Sequence, residues 1–373
     1  MGPLDGFTVV EFEGIGPGPL AGMILADMGA EVTLIARKGG NALVKKLGGD
    51  SSADILQRGK HRIAIDLKRP EGVALALDLI GGADALIEGN RPGVMERLGL
   101  GPEPCFARNR KLVYGRITGW GQEGPLAQAA GHDLNYLALT GLMGMGGGRM
   151  PPQRPPVTLA GDAAAAMGLA FGIVCAAFEA RSSGQGQVVD AAVVDMAAMM
   201  GSIAHMLVAS GQVGGERPSP LYDSPFYDLY ECADGEWISI GALEPQFYGL
   251  LLEKLGLGTV DPALQYDARQ WPYLKHRLTD LFKSRTRKEW CDCLEGTDVC
   301  FAPVLSPAEA AAHPHNVSRR TFRCEGVPQA APAPRLSRTP GEIHHVQPGE
   351  HSSLMEELGN ARLRTLREQG IVE

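Results

Sequence analysis

Short apolar runs alternate with segments of helical period through the first half of the chain. Phe7–Glu11 reads as a buried strand and Glu31–Ala36 as the next. Between them lie a Gly/Pro loop, Glu13 to Pro19, and an amphipathic helix that runs to about Met28 and stops at Gly29. Strand, helix and strand in that order predict a right-handed crossover and a parallel sheet. Arg62–Asp66, a helix from Pro70 to Ile80, Ala85–Glu88 and Leu112–Ile117 continue the alternation. The expected architecture is α/β, a Rossmann-like parallel sheet wound on both faces.

A Gly/Pro-rich stretch, Gly141–Pro156, then interrupts the pattern. A helix begins near Asp162 and ends at Ser182-Ser183-Gly184. Gln187–Asp190 reads as a short strand, and an Ala/Met-rich helix follows to about Ser210. Past a polar linker, Phe226–Cys232 and Glu236–Ile240 form a hairpin around Ala233-Asp234-Gly235. Helices near Pro245–Leu255, Pro272–Phe282 and Lys288–Leu294 and a strand at Cys300–Leu305 complete a smaller α+β domain. The domain reading is a large domain over residues 1–210, a linker over 211–224, a small domain over 225–325 and a C-terminal segment over 326–373. No internal repeat is visible.

Composition narrows the class. The 373 residues are 44% hydrophobic and 21% charged, enough to bury a large core. The net charge of −8 is spread along the chain and leaves no nucleic-acid footprint. The apolar run Leu169–Ala177 is short for a membrane span, and Ala191–Met200 is broken by Asp195. The first residues lack a basic segment leading into an apolar one. Seven cysteines at 105, 175, 232, 291, 293, 300 and 324 show neither a disulfide framework nor a zinc spacing. The expectation is a cytoplasmic protein with reduced thiols, binding neither membrane nor nucleic acid.

Chemistry concentrates at element ends. Gly131-His132-Asp133 precedes a helix, Asp162 opens the Ala-rich helix, and Glu244 stands before Pro245 at the start of another. Each has an ordinary reading: a loop histidine, and carboxylates that cap helices. Together, one imidazole and several oriented carboxylates are what two-base proton transfer needs. The first loop holds Gly14-x-Gly16, yet Pro17 and Pro19 remove two amides that would cradle a pyrophosphate. Arg37-Lys38 stands where a dinucleotide fold places an acidic residue, which suits an extra phosphate on NADP or on coenzyme A. Arg58, Lys60 and Arg91, on loops at strand ends, can converge on an anion or stand as ordinary exposed cations.

Seven stretches, spread over about residues 5–340, carry a resemblance to a known family. They include Gly16-Pro17-Gly18-Pro19, Arg58-Gly59-Lys60, Glu88-Gly89-Asn90-Arg91-Pro92-Gly93-Val94 and Thr118-Gly119-Trp120-Gly121-Gln122. Gly131-His132-Asp133-Leu134-Asn135-Tyr136, Gly184-Gln185-Gly186-Gln187-Val188-Val189-Asp190 and Gly241-Ala242-Leu243-Glu244-Pro245-Gln246-Phe247-Tyr248 join them. The chain thereby resembles the family III coenzyme A transferases, in their α-methylacyl-CoA racemase branch. The pattern departs at Ala163-Ala164-Ala165, where relatives have Phe-Gly-Gly-type residues, and at Leu221-Tyr222-Asp223-Ser224.

The resemblance implies an interlocked homodimer whose large domain includes the C-terminal segment. It implies an acyl-CoA substrate and no separate cofactor, since coenzyme A is part of the substrate. His132, supported by Glu244, looks like one base, and Asp162, near Asp133, like the other. Arg37 and Arg91 look like phosphate ligands, with Arg58 and Lys60 in the same group of coenzyme-binding residues. The implied activity inverts the α-carbon of a 2-methylacyl thioester. Apart from the resemblance, Met143, Met145 and Met150 in their Gly-rich stretch read either as a forgiving acyl wall or as a mobile loop with no fixed role. The alternatives are coenzyme A transfer with Asp162 as nucleophile, an NADP-dependent oxidoreductase, and a non-catalytic acyl-CoA binder.

Overall fold

The computed structural model describes residues 2–39, 55–145, 155–323, 328–347 and 349–373; Met150 and Cys324 lie outside them. The chain divides into two compact units. One comprises Met1–Gly141, Arg154–Gly201 and Arg323–Glu373; the other, Leu142–Gln153 and Ser202–Phe322.

The first unit is built on six parallel strands: β1 (Thr8–Phe12), β2 (Glu31–Arg37), β3 (Lys60–Ile65), β4 (Ala85–Glu88), β5 (Val113–Arg116) and β6 (Val188–Asp190). They lie in the order β3-β2-β1-β4-β5-β6. The inner strands are almost wholly buried, because helices cover both faces of a parallel sheet. On one face, α1 (Pro17–Asp27) and α6 (Asp162–Ser183) enclose Val9, Val32, Ile87 and Val113 with Leu25, Leu169 and Ile173. On the other, α2 (Pro70–Gly82) and α4 (Pro102–Arg108) contribute Leu75, Leu79 and Cys105, and Leu363, Leu366 and Ile371 from the C-terminal segment join them. That segment continues onto the edge strand, where the Glu373 amide donates to Ala64 O at 3.1 Å. Strand order reverses between β1 and β4, which leaves a crevice at their C-terminal ends.

Two cations named as ligand candidates are spent inside this unit. Lys60 Nζ lies 2.7 Å from Glu11 Oε2 and donates to Glu11 Oε1 at 2.9 Å and Pro19 O at 2.8 Å, with both side chains essentially inaccessible. Gly22 on α1 leaves room for the pair, since a Cβ there would collide with the Glu11 carboxylate. Arg58 grips Asp27 through Nε at 3.0 Å and Nη2 at 2.5 Å, and reaches Gln329 Oε1 at 3.1 Å. It therefore ties α1 to the C-terminal segment. Burial raises the Asp27 carboxyl above its ordinary range while Arg58 pulls it down.

Helix α6 corrects the sequence reading of apolar runs. Its 22 residues are long and apolar enough to cross a membrane by length and composition, because the helix continues well beyond Leu169–Ala177 at both ends. One face, Ala165, Leu169, Ile173, Ala176 and Ala180, is buried against the sheet as in a core helix. Met167, Phe171, Val174 and Phe178 on the opposite face are exposed.

The second unit carries the antiparallel sheet β7 (Tyr227–Glu231), β8 (Trp237–Gly241) and β9 (Phe301–Pro303). The hairpin register runs from Tyr227↔Gly241 to Glu231↔Trp237, closing through Gly235 at φ 79°. The helices Pro245–Lys254, Trp271–Phe282 and Arg287–Leu294 pack an aromatic core on it, with Phe226, Tyr230, Tyr248, Phe282 and Trp290 buried. The single helix expected up to Ser210 is two, α7 (Val193–Met200) and α8 (Ser202–Ala209), parted at Gly201. The polar stretch read as a linker is folded: Val213, Ser219 and Ser224 are buried, and Ser219 N donates to Asp223 Oδ2 at 2.6 Å.

Replacing Lys60 by Met leaves the Glu11 carboxylate buried without its partner. The expected loss is about 3–5 kcal/mol in urea unfolding. An unchanged midpoint and slope would contradict the structural role of Lys60.

Candidate active site

A cavity of about 590 Å³ opens at the crevice between β1 and β4. Its walls are the loop after β1 with the first turn of α1, from Glu13 to Pro19, the loop after β4, Gly89 to Pro92, and the segment after β5, Thr118 to Trp120. Gly131, His132, Tyr136 and Asp162 close it from the side. A second cavity of about 540 Å³ shares Phe12, Glu13, Arg37 and Asn90 with the first and adds Lys38, Asp66 and Lys68.

His132 is the N-cap of α5 (Asp133–Leu139), in extended backbone at φ −136°. Two bonds hold it: its amide donates to Asn135 Oδ1 at 3.0 Å, and the Tyr136 hydroxyl donates to the Gly131 carbonyl just before it. The Tyr136 ring packs edge-on to Trp120 at 4.7 Å between centroids. Gly119 and Gly131 are needed here because a Cβ at either would run into the Tyr136 ring.

Asp162 is the first residue of α6, and Gly161 occupies the cap position. The capping role expected of Asp162 falls to Asp133, whose Oδ1 accepts the Asp162 amide at 2.8 Å. That bond satisfies one of the amides a helix start leaves without an acceptor. It also brings two carboxylates together. Burial pushes the Asp162 carboxyl up to about 6, the Asp133 charge adds to the rise, and His132 opposes it. Gly16 comes close on the other side, where a Cβ would stand 3.4 Å from Asp162 Oδ2. Its backbone, φ 70° and ψ −123°, is one that side chains rarely adopt. The Gly/Pro loop is thus a wall facing Asp162.

The sequence candidates separate clearly. His132, Asp162, Arg37 and Arg91 line one cavity, and Asp133 stands behind Asp162. Arg58 and Lys60 do not line it, being engaged in the buried pairs above. Glu244 belongs to the other unit, exposed at the N-cap of its helix without a side-chain capping bond. Met143 and Met145 also belong to that unit, and Met145 is buried. Among the described residues no group of three or more His, Cys, Asp or Glu is placed to hold a metal ion, and the described cysteines are free.

Three residues without an assigned role in the sequence reading shape the site. Tyr136 carries no signal beyond its place four residues after His132. Glu88 and Arg116 are the last residues of β4 and β5, paired in register, and both are buried. A charge ending an otherwise apolar strand is the signal that could have found them.

Residues 4–352 match the model of CoA-transferase family III. The chain is 42% identical over 342 residues to the alpha-methylacyl-CoA racemase of Mus musculus, spanning 90% of this chain and 87% of that protein. It is 38% identical over 368 residues to the alpha-methylacyl-CoA racemase of Homo sapiens, spanning 96% and 94%. The crystal structure of a CAIB/BAIF family protein from Brucella suis superposes with a TM-score of 0.81 at 26% identity, covering 98% of this chain and 99% of that one. The parallel sheet, the crevice at its switch point and the length of the match agree: this chain belongs to CoA-transferase family III.

Proposed function

We propose that the protein is a racemase that inverts the α-carbon of 2-methyl-branched acyl-CoA thioesters. The observation that carries the reading is the presence of His132 and Asp162 on the wall of one cavity, with Asp162 raised to about 6. One base removes the α-proton, the thioester becomes an enolate, and the conjugate acid of the other base returns a proton to the opposite face. A carboxyl raised to about 6 is ionised near neutral pH yet can hold a proton, as a reaction run in both directions requires.

A thioester α-hydrogen is a very weak acid, and each unit of mismatch with its base costs about 1.4 kcal/mol. Proton transfer by a positioned side chain supplies about 10²–10⁴-fold. The enolate oxygen therefore needs a donor of its own, and we assign it the Asp133 amide at the start of α5. Arg37 and Arg91 take the phosphates of the coenzyme, and the adjoining second cavity gives room for so long a substrate.

A second reading, coenzyme A transfer, is favoured by the family itself and by the Asp162 carboxylate facing the cavity. Asp162 would then attack the thioester carbonyl, expel the coenzyme A thiolate and hold the acyl group as a mixed anhydride. Hydroxylamine would trap that intermediate.

We also propose a working homodimer. Met167, Phe171, Val174 and Phe178 recur at intervals of four, three and four on the free face of α6, a contiguous apolar stripe that water disfavours. The dimer reading gives Glu244 of a second chain the task of orienting the His132 ring.

Incubating one epimer of a 2-methylacyl-CoA in deuterated water should wash deuterium into the α-position and yield both epimers, with no hydroxamate formed on adding hydroxylamine. Hydroxamate without α-exchange would replace the racemase by the transferase. Exchange that begins at Asp162 requires its carboxylate, so this rate should fall as pH drops through about 6. Replacing Asp133 by Asn removes the neighbouring negative charge and should move that acid limb to lower pH. A limb that stays in place would contradict the Asp133 contribution. Phe171→Glu with Phe178→Glu should shift the sedimenting mass from dimer toward monomer, and a wild-type monomer would end the dimer proposal.

A further inference from the structure

Arg116 is the hub beneath the cavity wall. It ends β5 directly beside Glu88, which ends β4. Its Nε lies 3.4 Å from Glu88 Oε1, its Nη1 donates to Gln122 Oε1 at 2.9 Å, and its Nη2 pairs with Glu96 on α3 (Val94–Arg97). The guanidinium also lies 5.1 Å from the Tyr114 ring centroid. Glu88 in turn accepts the Asn90 amide through Oε2 at 2.7 Å. The loop from Gly89 to Gly93 is therefore fastened at one foot through Glu88 and at the other through Glu96, and one guanidinium serves both. Arg91 sits at the apex and lines the cavity. The third arm reaches Gln122, just past the Thr118–Trp120 wall.

None of these groups faces the proposed chemistry, yet Arg116 and Glu88 at its centre are buried and charged, an expensive arrangement to keep. Burial pushes the Glu88 carboxyl up to about 7 although Asn90 and Arg116 pull it down. A single hydrophobic residue at 116 would fill the space without cost in unpaired charge if its neighbours were apolar too. What the fork adds is two directed hydrogen bonds, to Gln122 and Glu96, with the charge of Glu88 held 3.4 Å from Nε, an arrangement an ammonium cannot give.

We propose that Arg116 is a positioning residue for substrate: it fixes the Arg91 loop at both feet and so sets the place of the phosphate-binding guanidinium. The inference rests on the reading of Arg91 as a phosphate ligand. Preorganising a long, flexible cation lowers the ordering cost of binding. The effect therefore falls on the affinity for the coenzyme half of the substrate, while the proton-transfer step is left intact.

The test is a double-mutant cycle read by titration of coenzyme A into the folded protein and by steady-state kinetics on a 2-methylacyl-CoA. Arg91→Ala should raise the Kd for coenzyme A, and Arg116→Lys should raise it by about 10-fold, each with KM rising and kcat changed little. In the Arg91→Ala background, Arg116→Lys should add almost nothing. Should Arg116→Lys fail to fold, Glu96→Ala releases only the outer foot, at a side chain that is 44% exposed, and should show the same KM shift and the same lack of additivity. Full additivity, or a fall in kcat at constant KM, overturns the positioning role and leaves Arg91 as a ligand. An unchanged Kd in Arg91→Ala removes the phosphate reading and this inference with it.

Discussion

The hydrogen bond from the Asp162 amide to the Asp133 carboxylate is the joint on which this site depends. It fastens the start of α6 to the start of α5, so the residue before α5, His132, and the first residue of α6 present themselves to the same cavity. The same bond contributes to the electrostatics. Burial raises the Asp162 carboxyl, and the Asp133 charge held beside it by this bond adds to the rise. The contact between helix ends thus fixes the geometry and adds to a basicity that burial sets first.

Everything around the joint limits where atoms can go. The doubly wound sheet supplies the crevice, because its strand order turns at β1 and β4. Gly16 brings backbone against Asp162, and Gly119 and Gly131 leave room for the Tyr136 ring beside the His132 loop. Beneath the wall, charge is stored in buried pairs: Lys60 with Glu11, Arg58 with Asp27, and Arg116 with Glu88. These pairs fasten loops and terminal segments to a sheet whose apolar faces alone would not specify loop positions.

Much of the frame was legible in the residues. Strand and helix alternation gave the parallel sheet, and Ala233-Asp234-Gly235 gave the hairpin, because period and turn chemistry are local. His132, Asp162, Arg37 and Arg91 were legible as candidates from their places at element ends, and the sheet brings them together. Arg58 and Lys60 misled because a cation at a strand end looks the same in sequence whether it faces a ligand or a buried carboxylate; Glu11 and Asp27, their partners, are distant in the chain. The cap on α6 misled for a related reason, since its acceptor, Asp133, lies 29 residues upstream. The bounds of α6 were legible from Asp162 and Ser182-Ser183-Gly184, while its membrane-spanning length and composition were missed because only the run Leu169–Ala177 was weighed.

Two bases on opposite faces of one carbon make a stereochemical demand that no single-base site meets. In deuterated water, with each pure epimer of a 2-methylacyl-CoA, His132→Ala and Asp162→Asn should each abolish inversion while sparing α-deuterium exchange from one epimer only. The spared epimer should be opposite in the two variants. Loss of exchange from the same epimer in both, or equal loss from both epimers, would contradict the placement of His132 and Asp162 across one substrate carbon.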